Sequence, residues 1–174
     1  MESNHIIQEL NAIASLDVTV RQKAYFEQRA RDARPVRCVR MRDVLTPDQM
    51  EVLFKNIGYK TQQKMCYKNA SDLVERVEWM AGHYDPNIPL VKYVEGLTYE
   101  PGLLPIEHAF VKIGDKYIDP TFERALHIDV TKCEYVALVE LEWPELAAIQ
   151  ENTGYYGEIY NYLFKQRMDA ADKQ

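Results

Sequence analysis

The sequence predicts an α+β fold, and three observations predict it. Apolar residues recur at helical spacing through the first half of the chain; runs rich in Val, Ile, Tyr and Phe, bounded by Pro, Gly and Asp, fill Leu90 to Leu141; helical spacing returns in the tail. Helices first and strands after, with hairpin-length links between the strands, call for a mostly antiparallel sheet rather than alternating βαβ units. A chain of 174 residues has the size of a single domain, here taken as 1–174. A hydrophobic fraction of 47% is enough to bury a core and excludes a disordered chain.

The elements follow in order. Ile6, Leu10, Ile13 and Ala14 mark a first helix behind Ser3 or Asn4 as its cap. A second covers Val20 to Arg34 and stops at Pro35, and Val36 to Met41 reads as a short extended segment. Thr46-Pro47-Asp48-Gln49 carries a capping threonine, a proline at the first helical position and a glutamine at the third, so a helix through Met50, Leu53, Phe54 and Ile57 ends at Gly58. From about Met65 to Ala81, Cys66, Ala70, Leu73, Val74, Val77 and Met80 share one stripe, and Gly82 ends it. Strands are expected at Leu90–Thr98, Glu107–Ile113, Lys116–Asp119 and Tyr135–Leu141. In the tail, Tyr155, Tyr156, Ile159, Tyr160, Leu163 and Phe164 form an aromatic helical stripe read as packing.

Composition excludes several classes of function. The opening stretch MESNHIIQELNAIASLD carries acids and lacks a basic leader, so it does not read as a signal peptide. No window approaches the roughly 18 apolar residues of a membrane span. Cys38, Cys66 and Cys133 form no short-spaced pair and no even set, which fits free thiols and a cytoplasmic protein. The net charge of −6 hides a basic stretch, Arg21 to Arg42, with eight basic residues against Glu27 and Asp32. No base-stacking module accompanies it, so pairing with the acidic remainder is expected rather than nucleic-acid binding.

The stretch IEHAFVKIGDKYIDPTF concentrates the chemistry. If Gly114-Asp115 is a two-residue type II′ loop, Ile113 opposes Lys116, and Phe110 and Asp119 then share a sheet face with His108 as a diagonal neighbour. A carboxylate beside an imidazole fixes its tautomer and stabilises the imidazolium, which serves a ring that removes a proton from something. Cys66 is that something: it opens a helix, where unpaired amides and the positive dipole end favour an anionic sulfur.

KMCYKNASDLV, YVEGL and IEHAFVKIGDKYIDPTF together resemble the core of transglutaminase-like proteins in the papain-like cysteine-enzyme superfamily. The resemblance spans about Tyr59 to Glu123. Its pattern is a cysteine opening a helix, His-Ala-aromatic on a strand and Asp-Pro-Thr-aromatic after the next, and it places Cys66, His108 and Asp119 on the three catalytic positions. Lys64 and Met65 stand where Gly-x is often found, and Phe110 replaces the commoner tryptophan. The resemblance implies a catalytic helix packed on the antiparallel sheet, with extra N- and C-terminal helices.

The expected function is therefore cysteine-dependent acyl transfer, with Cys66 as nucleophile, His108 as base and Asp119 as orienter. The oxyanion needs two donors: the Cys66 amide and a side-chain amide from Gln62 or, preferably, Gln63. Asn69 lies one turn beyond Cys66 on its face and is a candidate to hold the site. Glu95, mid-strand in YVEGL, pairs with a cation near the site or reaches water at a sheet edge. The substrate is a peptide or other carboxamide, a protein included. Water as acceptor is preferred to an amine, which would make a transglutaminase; an inactive binding module of the same fold is the remaining alternative. No cofactor is expected, and no Cys or His pair has the short spacing of a zinc site.

Overall fold

The computed structural model describes residues 4–171. Ser3 lies outside the described residues. Asn4 is the cap, its side chain accepting from the Ile7 amide, and α1 (His5–Ala14) buries Ile6 and Leu10. A Thr19–Gln22 capping box opens α2 (Val20–Asp32). This helix ends before Arg34, because Arg34 precedes a proline, is thereby biased to extended backbone, and pairs with Ala137 at the start of β1 (Arg34–Val36). Of the expected extended segment to Met41, only Val36 belongs to a strand; Cys38 forms a lone parallel bridge with Tyr117, and Met41 starts a short 3-10 turn.

The Thr46–Gln49 capping box opens α3 (Pro47–Glu51), which widens into a π-helical turn over Val52–Asn56 before Gly58 takes the left-handed conformation. The long α4 (Cys66–His83) runs through Gly82 rather than stopping there. The sheet comprises β1, β2 (Val91–Tyr99), β3 (Ile106–Ile113), β4 (Lys116–Ile118) and β5 (Glu134–Leu141) in the order β1-β5-β2-β3-β4. All paired strands are antiparallel. One link is not of hairpin length: after β4 the chain crosses from Asp119 to Cys133 and returns beside β2, not β4. The tail holds two helices, α5 (Trp143–Thr153) and α6 (Ile159–Ala171), and Tyr155 and Tyr156 fall between them rather than on a helical stripe.

The buried stripe of α4, Ala70, Leu73, Val74, Val77 and Met80, packs with Tyr93, Ala109 and Val111 on one face of the sheet. The other face carries Val94, Phe110, Tyr135 and Ala137 under Phe122 and Val130 of the crossover. A bulge in β5 opposite Glu95 and Gly96 keeps Tyr135 and Ala137 on that second face. Arg21, Arg29, Arg31, Arg34 and Arg40 pair with Asp169, Glu107, Glu27, Glu140 and Asp129, so the basic stretch is largely tied to acids of the same chain. Among the described residues no helix is long and apolar enough to cross a membrane.

Candidate active site

The β3–β4 hairpin has the expected register: Ile113 opposes Lys116, Lys112 opposes Tyr117 and Val111 opposes Ile118. Gly114 has φ +61 and Asp115 is not left-handed, the pattern of a type II′ turn. The ladder stops at Ile118, so Asp119 and Thr121 are not in strand pairing with β3. Pro120 lacks an N–H, and the chain turns instead into a π-helical turn over Thr121–Ala125. Beyond Val111 the outer flank of β3 thus has no ladder partner, and there His108, the Asp119 turn and the first turn of α4 come together.

His108 and Asp119 are both buried, and the imidazole Nε2 lies 2.7 Å from Asp119 Oδ2. Asp119 is itself held at four points. Its Oδ1 accepts from the Thr121 and Phe122 amides, each at 3.0 Å, and its Oδ2 accepts from the Tyr135 hydroxyl at 3.0 Å as well as facing the imidazole. Burial pulls the His108 imidazolium down, but the charge and hydrogen bond of Asp119, with Cys66 as the ring's other polar neighbour, outweigh it and raise the group from 6.5 to about 10. Burial and the Asp119 charge push the Tyr135 phenol far up, so it stays a donor. The Phe122 ring tilts against the imidazole with centroids 4.7 Å apart.

Cys66 is the first residue of α4 and is half-buried. No side chain caps this helix and no acid stands in its first turn, so its amides and positive dipole end are left uncompensated beside the thiol. Lys64, at the place where the resemblance leads one to look for glycine, takes φ +61. Burial pushes the Cys38 thiol well up and the Cys133 thiol to about 11.

Asn69 joins the two halves of the site. Its Nδ2 donates to the Gln62 carbonyl at 2.7 Å and to Thr121 Oγ1 at 3.0 Å, and its Oδ1 accepts from the Gln62 amide at 3.0 Å. Gln62 therefore contributes its backbone, while the Gln63 side chain donates to the Ala125 carbonyl at 3.3 Å. Neither glutamine amide is bonded to Cys66 or His108. Among the described residues Glu95 forms no ion pair with a cation, and it does not lie at a sheet edge. It is buried in the central strand β2, where it accepts from the Ile159 and Tyr160 amides at 3.1 and 3.0 Å and from the Tyr93 hydroxyl at 3.0 Å. The open amides of a helix start supply the compensation that a cation was expected to give. Sequence reasoning missed Tyr135; its signal was a hydroxyl-bearing ring at an inward-facing strand position, where a buried phenol needs an acceptor.

No family model, curated protein or solved structure matches the chain.

Proposed function

We propose that the protein is a cysteine-dependent acyl-transfer enzyme that hydrolyses a peptide or carboxamide bond, with a papain-like, transglutaminase-like site of Cys66, His108 and Asp119. The supporting observation is a buried imidazole clamped at Nε2 by a carboxylate that three further donors hold in place, with the uncapped first turn of α4 presenting a thiol to the same ring.

The reaction follows from that geometry. Asp119 takes the Nε2 hydrogen bond, which leaves Nδ1 for the thiol. Cys66 Sγ attacks the carbonyl carbon as His108 holds the thiol proton, and a C–S bond forms. The oxyanion meets the free amides at the start of α4. Collapse breaks the C–N bond, and His108 delivers its proton to the leaving amine. Water then adds to the thioester, giving a proton to His108; the C–S bond breaks, the acid leaves, and sulfur and imidazole return to their starting state. The chemistry needs Cys66 reduced, which a reducing cytoplasm supplies. Water is preferred over an amine because the sequence carries no evident calcium loop.

Alkylation by iodoacetamide near neutral pH tests this. Cys66 is expected to react much faster than Cys38 and Cys133 and to lose that advantage in His108→Ala. Equal rates at the three thiols would favour a binding module that keeps the fold without the chemistry. Peptide, glutamine-amide and thioester substrates compared between wild type and Cys66→Ala then identify the acyl group.

A further inference from the structure

Between α5 and α6 lies a cleft of about 750 Å³ whose walls include Tyr67, Ile149, Tyr155, Tyr156, Tyr162 and Lys165. Its size suits more than one substrate side chain. One wall, Tyr67, directly follows Cys66 in the first turn of α4. The cleft is also braced from below: the Tyr93 hydroxyl donates to Glu95 Oε2 at 3.0 Å and reaches the Tyr156 carbonyl at 3.4 Å.

The strap Tyr155–Glu158 that forms the opposite wall is held at several points. Lys68 Nζ sits 5.1 Å from the centre of the Tyr156 ring. Gly157 lies so close to Tyr67 that a Cβ there would come within 2.4 Å of the ring. Glu158 holds a left-handed conformation at φ +58, and the next two amides end on the buried Glu95 carboxylate. Held this firmly, the strap nevertheless leaves Tyr155 71% and Tyr156 47% exposed. A fixed backbone that offers open, hydroxyl-tipped rings loses little freedom when a ligand covers them.

We propose that this cleft is the subsite for the acyl portion of the substrate, and that it selects a peptide or amide with an aromatic or large aliphatic group beside the scissile carbonyl. The proposal rests on the acyl-transfer reading above. Substrate apolar groups lie against Tyr155, Tyr156 and Ile149, and the tyrosine hydroxyls and Lys165 meet its polar backbone.

The test compares two chloroacetamides with the same reactive carbon, N-methyl and N-phenethyl. In each, Cys66 sulfur displaces chloride, forming C–S and breaking C–Cl, while the thiol proton passes to His108. Rates at each cysteine are read by peptide mass mapping, with iodoacetamide run alongside. The N-phenethyl to N-methyl ratio at Cys66 is expected to be roughly tenfold or more, the discrimination a filled apolar contact supplies. It is expected to fall toward one in Tyr155→Ala/Tyr156→Ala and to persist in Trp79→Ala, an exposed position on the far part of α4. A ratio near one in wild type, or one that the double variant leaves intact, overturns the cleft assignment while iodoacetamide selectivity for Cys66 keeps the acyl-transfer reading. Iodoacetamide labelling Cys66 no faster than Cys133 overturns both.

Discussion

Asp119 divides its two oxygens between structure and orientation. Oδ1 serves the Thr121 and Phe122 amides, and Oδ2 serves His108 and Tyr135. Asparagine keeps an acceptor for the two amides but points an NH₂ at an imidazole N–H and a phenol O–H, forcing the wrong tautomer. Asp119→Asn is expected to stay folded by circular dichroism and to lose on the order of 10⁴ in turnover, as the equivalent change does in the serine triad. Asp119→Ala strips four buried donors of their acceptor, at about 1–3 kcal/mol for each one left unpaired, so a clearly lowered Tm is expected there instead. The pH dependence has a definite sign. Because the folded value of His108 is raised to about 10 from 6.5, its stabilising charge is fully present below pH 6.5 and is lost as pH rises through about 10. The alkaline limb of turnover is expected near that upper value and should move to lower pH in Asp119→Asn, where burial acts without a counter-charge; a limb that stays in place would refute the coupling. Lys64 supplies a separate prediction. Its left-handed backbone costs a side-chain-bearing residue roughly 1 kcal/mol, so Lys64→Gly is expected to hold or slightly raise Tm while leaving the turn into α4 intact.

At the level of elements, the start of α3 is readable from its own residues, and the start of α6 is not. Thr46, Pro47 and Gln49 announce α3 within four residues, and the capping box is present. The start of α6 is different: its first amides end on Glu95, more than sixty positions upstream, and no local pattern encodes that bond. Glu95→Ala would leave the Ile159 and Tyr160 amides and the Tyr93 hydroxyl without their acceptor in a buried place, a loss of roughly 2–5 kcal/mol. Amide hydrogen exchange is expected to speed up first at Ile159 and Tyr160 and along α6, ahead of the central strands; uniform change across the sheet would count against the capping role. The hairpin lies between these cases. Gly114-Asp115 set the register of β3 and β4 from local sequence alone, yet the turn that ends β4, Asp119-Pro120-Thr121, is held by Asn69 and Tyr135, which come from two other parts of the chain.

The whole sheet turns on Gly96, opposite His108 in β3 and beside the bulge in β5. A Cβ there would stand 1.9 Å from the Val136 carbonyl oxygen, which is backbone and cannot swing away. Gly96→Ala is expected to cost more than about 4 kcal/mol in urea unfolding or to prevent folding, since no small adjustment relieves such an overlap in a central strand. Charge is likewise settled at this scale: Arg21, Arg29, Arg34 and Arg40 find carboxylates on α6, β3, β5 and the crossover, which a linear count of charges reveals only as a surplus and a deficit. What the sequence by itself determined were the α+β class, most helices and strands, the register of one hairpin, and Cys66, His108 and Asp119 as the residues to watch. Periodicity, caps and a two-residue turn are local, and local interactions are written in neighbouring residues. Only the tertiary structure decided that β5 returns beside β2, that Tyr135 and Asn69 brace the Asp119 turn, that Glu95 caps a helix, and that Tyr155 and Tyr156 line a cleft rather than fill a core. Each of these joins residues far apart in the chain, where burial makes an unpaired polar group costly and distant partners must meet it.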